Sequence, residues 1–267
     1  MKILIVSDEI SPFLYHPRVQ DHFDNVELIL SCGDLPYSYL EFLVTVLNAP
    51  LHYVFGNHDE TMILQDGLEL SAPRGGCDLD GRVVEVHDGD EGSLLIGGLE
   101  GSMRYNGRLH EYTERQMQRK ARRMAPRLAW NRWTKGRAID MLITHAPPAG
   151  IHDADDLTHQ GFQAFRTFID RYQPRYLIHG HTHERYRFGT ETERVGTTEI
   201  INVTGYCVLE VEHEHGHVSG FSEGETERVL SPDSGDDQTG TDAAPVLRSR
   251  QGSPRHRSAD LRRAPRD

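Results

Sequence analysis

The sequence is poor in cysteine and in long apolar runs. Its three cysteines, Cys32, Cys77 and Cys207, show no CxxC spacing, and an odd number cannot pair fully within one chain. Neither a disulfide framework nor a thiolate zinc site is indicated, and a reducing cytoplasm fits this pattern. No stretch approaches the roughly 20 apolar residues of a spanning helix, and the apolar run after Lys2 is too short for a signal peptide. We therefore expect a cytoplasmic protein that is not embedded in a membrane.

Positive charge is also scarce. Asp and Glu outnumber Lys and Arg by 41 to 29, which gives a formal net charge of -12. Such a chain does not adhere indiscriminately to nucleic acid or to anionic membranes, so a polyanionic ligand must meet a local basic patch. The 267 residues suffice for one full α/β core, and nothing requires a second catalytic domain.

One segment reverses this charge balance. The stretch from Arg115 to Arg137 contains nine cations and no acid, and Trp130 and Trp133 follow Pro126 within it. We interpret residues 111–137 as a basic helical cap exposed to solvent, with Pro126 expected to break the helical pattern. Nucleic acid is a partner that residues 115–137 could contact.

The end of the chain differs in composition from the rest. From about residue 222 it loses apolar periodicity and fills with Ser, Gly, Asp and Pro, and then with Arg. Such a composition cannot bury a core. We predict one folded domain over residues 1–221 and a disordered tail over residues 222–267.

Short β-branched runs recur along the folded part and predict buried or half-buried strands. They lie at Lys2–Ser7, Val26–Ser31, Leu51–Phe55, Val83–Val86, Leu94–Gly97, Met141–Thr144, Tyr176–His179, Glu199–Val203 and Cys207–Val211. Helical patterns with one apolar face separate some of them, at residues 39–47 and 162–172. This alternation predicts an α/β layered fold.

Polar side chains follow several of these predicted strands directly. Because ligands of α/β sheets collect at the carboxyl ends of strands, we expect these side chains to form one site. Their carboxylate, amide and imidazole groups suit divalent ions such as Mn, Fe or Zn, and two ions about 3.5 to 4 Å apart could clamp a phosphoryl group. The polar residues at these strand ends are Asp8, Asp34, Asn57, His58, His145, His181 and His183.

Five short motifs carry a family resemblance. They are Ser7-Asp8, Gly33-Asp34, Gly56-Asn57-His58-Asp59, Thr144-His145 and Gly180-His181-Thr182-His183. In this order, each after a predicted strand, they resemble the calcineurin-like metallophosphoesterase family over roughly residues 1 to 212. The resemblance implies a two-sheet layered sandwich flanked by helices.

The resemblance also implies roles for the site residues. Asp8, Asp34 and His183 would bind one metal, while Asp34, Asn57, His145 and His181 would bind the other, so that Asp34 bridges both. His58 would contact the phosphoryl group or protonate the leaving oxygen, with Asp59 orienting it.

The first motif departs from the family pattern, in which Asp-x-His is usual. Here Ile10 stands two residues after Asp8, so one ligand of the first metal is missing. In an extended chain Ile10 would occupy the ligand position and Glu9 would point away. His16 could return from a loop, or water could take the vacant position.

Loops beside these motifs supply candidate substrate contacts. Arg104 could pair bidentately with a phosphate or form an internal salt bridge, and Asn106 lies in the same loop. His152 and His159, after His145, are expected to line the substrate pocket rather than to bind metal.

The sequence thus predicts metal-dependent hydrolysis of a small phosphomonoester or phosphodiester. One alternative is a nuclease that uses the basic segment 115–137. Another is a non-catalytic member that binds a nucleotide or a partner, motivated by Ile10. The natural substrate and the oligomeric state are not predicted.

Overall fold

The computed structural model describes residues 1–63, 69–89, 92–182, 189–212 and 246–248. Three α-helices lie in these ranges: α1 (Tyr37–Leu47), α2 (Glu114–Lys135) and α3 (Gln163–Tyr172). The strands are β1 (Lys2–Ser7), β2 (Leu28–Ser31), β3 (Leu51–Tyr53), β4 (Met62–Ile63), β5 (Glu69–Leu70), β6 (Gly76–Asp78), β7 (Val83–Asp88), β8 (Gly92–Leu99), β9 (Ser102–Met103), β10 (Glu111–Tyr112), β11 (Met141–Thr144), β12 (Tyr176–His179), β13 (Gly189–Val195), β14 (Thr198–Glu210) and β15 (Val246–Arg248). Among the described helices, none combines the length and apolarity needed to cross a membrane.

Strand β14 joins the two halves of the main sheet. Its first part pairs in parallel with β12 and antiparallel with β13, and its second part pairs antiparallel with β1 and in parallel with β15. Gly205, with φ at +84°, stands between the two parts. A glycine accepts this conformation without steric cost, so the strand can pass from one half to the other.

The two halves have similar internal order. One runs β6, β3, β2, β1 and β14, and the other runs β14, β12, β11, β8 and β7. Along these two orders the central strands are parallel and the antiparallel pairs are β1 with β14 and β7 with β8, while β13, outside both orders, pairs antiparallel with β14. This mixed sheet confirms the predicted α/β fold.

The main core lies between the two halves. Ile3, Leu30, Ile143 and Ile178 are fully buried there, and they come from β1 and β2 on one side and from β11 and β12 on the other. When both faces of a sheet are covered, its strands favour continuous aliphatic runs, and these short strands contain such runs. The arrangement is the predicted layered sandwich.

Helices cover both outer faces. Tyr39, Leu40 and Leu43 of α1 pack with the outer side of β1 and β2, and α2 and α3 pack on the outer side of β8, β11 and β12. Helix α2 begins with a capping box between Thr113 and Gln116. The two side chains satisfy backbone N–H groups that a helix N-terminus otherwise leaves free.

Some sequence predictions differ from the structure. The predicted strands Glu199–Val203 and Cys207–Val211 are one strand, β14, because Gly205 bends it without ending it. Helix α2 continues through Pro126, which was predicted to break it. In the predicted tail, the structure describes only β15, which pairs with β14, and the remaining residues of 222–267 lie outside the described ranges.

Candidate metal centre

The site forms where the two halves of the sheet meet. Ser7, the last residue of β1, pairs with Gly205, and His179, the last residue of β12, pairs with Asn202. Strands from both halves therefore end beside the middle of β14. Because polar residues follow each of these ends, the topology itself brings them together.

Three of the predicted ligands have left-handed backbone conformations. The φ angles are +62° at Asp8, +58° at Asp34 and +69° at His181. Non-glycine residues rarely adopt this region, and such conformations concentrate at functional sites. At each of these positions the chain turns sharply as it leaves the strand, which keeps the side chain at the sheet edge.

Two glycines make room for the ligand side chains. A Cβ atom on Gly56 would lie 2.0 Å from Oδ1 of Asp34, and one on Gly180 would lie 2.2 Å from Oδ2 of Asp8. No real side chain tolerates such distances, so both positions require glycine. The glycines of two family motifs are thus explained by close approach to the carboxylates.

The predicted second metal set is assembled. Ligand atoms of Asp34, His145 and His181 lie within 4.8 Å of one another. The Oδ1 atom of Asn57 lies 3.0 Å from Nε2 of His145, which in turn lies 3.2 Å from Oδ2 of Asp34. Carboxylate, amide and imidazole donors at this spacing suit a divalent ion of the Mn, Fe or Zn type. The residues therefore fit the metal that the resemblance implies.

Both histidines of this set form a hydrogen bond with a backbone carbonyl that is not part of the set. Nδ1 of His145 donates to the carbonyl of Cys32 at 2.8 Å, and Nε2 of His181 donates to the carbonyl of Thr158 at 2.6 Å. Such outer bonds fix the tautomer and the ring orientation of ligating histidines. The remaining nitrogen of each ring is left for the metal.

Electrostatics link the members of the set. Burial disfavours charge on both Asp34 and His145, but their mutual attraction prevails, so the pKa of Asp34 is lowered and that of His145 is raised. Burial and the neighbouring His145 lower the pKa of His181. A metal that binds here must displace the proton of His145, because only a neutral imidazole is a ligand.

The predicted first metal set is described in part. Oδ2 of Asp8 accepts hydrogen bonds from Oγ of Ser7 at 2.6 Å and from the backbone N–H of His181 at 3.0 Å. Asp8 therefore lies at the same edge as His181. His183, the third predicted ligand of this metal, lies outside the described residues.

The placement of Ile10 at a ligand position assumed an extended chain, and the structure shows a turn there instead. Asp8 is left-handed and the N–H of Glu9 donates to the carbonyl of Ser7, so the chain is not extended there. The side chain of Ile10 is 38% exposed. His16 is exposed and its Nδ1 accepts the N–H of Arg18, and within the described ranges the group of possible metal ligands does not include it.

His58 and Asp59 lie next to the metal set with different surroundings. His58 is exposed, and its backbone N–H donates to Oδ1 of Asp34 at 2.8 Å. Asp59 is buried, and its Oδ2 accepts the N–H groups of Asp34 at 2.9 Å and of Gly56 at 2.7 Å. Within the described part of the chain, no hydrogen bond joins Asp59 to the His58 ring. Asp59 therefore ties two ligand-bearing loops together, a role that the sequence did not reveal.

A cleft of about 340 Å³ opens at His58, and we call it the His58 cleft. It is lined by Asp34, Leu35, Pro36, Tyr37, His58, Asp59 and Glu60. The imidazole of His58 thus faces a space next to the proposed bridging carboxylate. A substrate group that occupied this cleft would lie within reach of both.

Arg104 and Asn106 lie in a loop between β9 and β10, and both are exposed. Nη2 of Arg104 contacts the carbonyl of Glu111 at 3.4 Å, so it forms neither the internal salt bridge nor a contact with a predicted ligand among the described residues. Oδ1 of Asn106 accepts the N–H of Arg108. Tyr105, between them, is the loop residue that reaches the site, since its hydroxyl accepts from Nδ2 of Asn57 at 3.4 Å.

His152 and His159 line a second cleft, of about 300 Å³, together with Thr182 and three carboxylates. The carboxylates are Asp153, Asp155 and Glu191. The ring of His159 lies 5.2 Å from that of His181. The structure therefore places His159 beside His181 of the metal set and His152 in the same cleft, a space that a substrate could occupy.

Sequence reasoning missed His179, which belongs to the same surroundings. Its Nδ1 donates to the carbonyl of Gly180, and its Nε2 accepts from Nδ1 of His152 at 3.0 Å. Burial lowers the pKa of His179 to about 3, so the ring is neutral. A histidine at the end of an otherwise apolar strand was the available signal.

Comparisons with known proteins agree with this geometry. The family described as calcineurin-like phosphoesterase matches residues 1–185. Among solved structures, TT1561 of Thermus thermophilus is similar with a TM-score of 0.51 and 15% identity, over 78% of this chain and 93% of that one. At this identity the likeness shows a shared fold.

Two further structures are similar more weakly. GAP50 of Plasmodium has a TM-score of 0.47 and 11% identity, over 78% of this chain and 80% of that one. A single mutant of Vps29 from Entamoeba histolytica has a TM-score of 0.38 and 16% identity, over 79% of this chain and 87% of that one. No curated protein matches the sequence. From the family match over most of its length and the shared fold, the chain belongs to the calcineurin-like phosphoesterase family.

Proposed function

We propose that this protein hydrolyses a small phosphomonoester or phosphodiester with two divalent metal ions of the Mn, Fe or Zn type. The observation that supports this most strongly is the convergence of Asp34, His145 and His181 within 4.8 Å. Family membership supports hydrolysis of phosphoester bonds in general. Asp8 and His183 would complete a first metal site, and Asp34 would be shared.

Bound ions would supply the positive charge that activates water and neutralises the phosphoryl oxygens. The chain's own residues orient the reaction. Asn57 is held between His145 and Tyr105, and Asp59 fixes the loops that carry Asp34 and Asn57. Preorganised ligands of this kind keep the reacting groups in place without rearrangement during turnover.

His58 is the proposed proton donor to the leaving oxygen. Its exposed ring lines the His58 cleft, while its backbone is anchored to Asp34. A general acid needs access to the substrate, which the exposed ring supports, and the anchored backbone limits where that ring can lie. Since no described hydrogen bond joins Asp59 to the ring, the cleft and the bound substrate would orient it.

A nuclease is the second candidate, and the surface of α2 favours it. Arginines and two tryptophans are exposed along this helix, and its Lys120 contacts Glu100, the residue that follows β8. The exposed Ile10 is the feature that motivates a non-catalytic member.

We also retain the prediction of a cytoplasmic protein, since Cys32 and Cys207 are buried free thiols.

A substrate panel tests the proposal. Metal-free protein would be reconstituted with Mn, Fe, Zn or Mg, and assayed on p-nitrophenyl phosphate, bis-p-nitrophenyl phosphate, cyclic nucleotides and single-stranded DNA. We expect turnover of at least one small ester that depends on added metal. Turnover of DNA alone would favour the nuclease, and absence of turnover with every metal would favour the non-catalytic alternative.

A further inference from the structure

Helix α2 presents a continuous outward stripe. Residues 115, 119, 122, 126, 130 and 133 are spaced by three or four and are all exposed, whereas Met117, Met124 and Leu128 on the opposite side are buried. Eighteen residues make five helical turns, so Trp133 lies directly in line with Arg115, roughly 27 Å away. We call this surface the Arg-Trp stripe: Arg115, Arg119, Arg122, Pro126, Trp130 and Trp133.

Most cations of this segment have no partner within the part of the chain that the structure describes. Of the nine, Lys120 pairs with Asp80, Lys135 with Glu85 and Arg137 with Asp140. The other six are exposed arginines that form no ion pair with any described residue: Arg115, Arg119, Arg122, Arg123, Arg127 and Arg132. Six unneutralised charges on one helix of a chain with net charge -12 form a distinct positive patch.

The aromatic end of the stripe is equally exposed. Trp130 is 53% exposed and Trp133 is 77% exposed, and their rings meet edge to face at 5.2 Å. Large aromatic side chains are rarely left in solvent, and exposed apolar surface of this kind marks binding sites. The two rings are therefore candidates for stacking on a ligand.

We propose that the Arg-Trp stripe binds single-stranded nucleic acid, with phosphates on the arginines and bases stacked on Trp130 and Trp133. Charged grooves combined with aromatic stacking are how proteins bind single strands without sequence preference. All six of these cations are arginines, whose planar guanidinium pairs bidentately with phosphate. Binding at this surface requires no turnover, so it does not depend on the proposed hydrolysis.

An anionic membrane fits the stripe less well. A helix that lies in a membrane interface inserts an apolar face, but the apolar face of α2, with Met117, Met124 and Leu128, is buried in the protein core. Duplex DNA also fits less well, because its bases are already stacked and offer no face to the tryptophans.

The chain offers its own reporter for this surface. Its two tryptophans are Trp130 and Trp133, so intrinsic tryptophan fluorescence reports on the stripe alone. The full-length protein would be titrated with a 20-nucleotide oligothymidylate, with the 20-base-pair duplex, and with phosphatidylserine vesicles. Fluorescence anisotropy of a labelled oligonucleotide would give Kd at several salt concentrations.

Two matched double variants measure the contribution of the arginine charges to binding. Arg119→Gln with Arg122→Gln removes two charges from the stripe, and Arg171→Gln with Arg194→Gln removes two exposed charges elsewhere. We expect the stripe variant to raise Kd about tenfold and to make the slope of log Kd against log salt shallower by roughly 1.4, at about 0.7 per lost phosphate contact. The control variant should bind like the wild type.

The tryptophans require a separate variant. Trp130→Ala with Trp133→Ala should raise Kd about 30-fold or more with little change in salt slope, because two stacked bases are lost, and Trp→Phe at both positions should restore most of the binding. All variants should hydrolyse a small ester like the wild type.

Several results would overturn the proposal. Equal Kd values for the stripe and control variants would show that the stripe arginines do not bind the phosphates. Unaltered tryptophan fluorescence at saturating oligonucleotide would show that no base stacks on Trp130 or Trp133. Equal or tighter binding of the duplex would contradict a single-strand site. A blue shift with vesicles but no response to oligothymidylate would assign the stripe to a membrane surface.

Discussion

The Nε2 atom of His145 lies 3.2 Å from the Oδ2 atom of Asp34, and both side chains are almost completely shielded from solvent. The two residues follow β11 and β2, which belong to opposite halves of the sheet. Their attraction holds Asp34 ionised and would be replaced by shared coordination when a metal binds. The site therefore spans the junction of the two halves, and its formation requires that both be folded.

The first prediction concerns Asp59, whose carboxylate ties the loops of Asp34 and Gly56. We expect Asp59→Ala to weaken metal binding by about 10- to 100-fold, because residues that support metal ligands contribute on this scale. Glu60→Ala, which removes an exposed carboxylate from the same cleft, is the control. If Asp59→Ala kept full metal affinity and lost only turnover, Asp59 would act through His58 instead.

The second prediction concerns His58. His58→Ala should retain metal but lose about two to four orders of magnitude in kcat on esters with poor leaving groups, and less on activated aryl esters. Comparing kcat for an alkyl and an aryl phosphate in both proteins measures this difference. Loss of metal, with an equal loss of turnover on both esters, would reassign His58 as a ligand.

Much of the fold was predictable because it is encoded locally. Buried β-branched runs marked β1, β2, β11 and β12 to within two residues, and the polar residues that follow them marked the site. The sequence could not show that β14 is one strand, because a glycine in a strand pattern indicates a bend and an end equally well.

Contacts between distant loops were not predictable. Asp59 stands next to His58 in sequence but bonds to the backbone of Asp34, and its role depends on the left-handed turn there. Likewise, the bond between His152 and His179 joins a loop to a strand end 27 residues apart. Family motifs identify such residues without stating which atoms they contact.

The third prediction concerns acid stability and Glu100, which is buried after β8. Glu100 accepts hydrogen bonds from His110 at 3.0 Å, from Lys120 at 2.8 Å and from the Tyr112 hydroxyl. Burial raises the pKa of Glu100, but the His110 bond and the Lys120 charge outweigh it and lower the pKa to about 2. Because the folded pKa is depressed, the stabilisation is present above the unfolded value of about 4.5 and is lost as pH falls towards 2.

The size of this contribution is on the order of 3 kcal/mol at most. Asp80 opposes it, since burial and Glu100 raise the pKa of Asp80. We expect Glu100→Gln to be less stable than the wild type at pH 7, with a difference in unfolding free energy that narrows as pH falls from about 4.5 towards 2. Urea unfolding at several pH values measures it, with Asp24→Asn as a control for loss of one exposed carboxylate. A gap independent of pH would contradict the assigned role of Glu100.

The fourth prediction concerns Ile10, where family pattern and sequence differ. If the first metal is held by Asp8, Asp34 and His183 without a further side chain, it should bind more weakly than the second. Activity should then rise with added Mn after the tighter site is full, and Ile10→His should lower the Mn concentration needed for half activity. Identical metal dependence of two active proteins would show that another group already fills the position.

The fifth prediction concerns Asp34, which we propose holds the catalytic metal at the junction of the two halves, and uses the variant Asp34→Asn. Bound metal per chain and kcat on a small phosphoester would be measured on the same preparations of wild type and variant, with circular dichroism as a check of the fold. We expect Asp34→Asn to lose metal content and turnover together while its melting transition persists. Full turnover and unchanged metal content in a folded Asp34→Asn protein would contradict it.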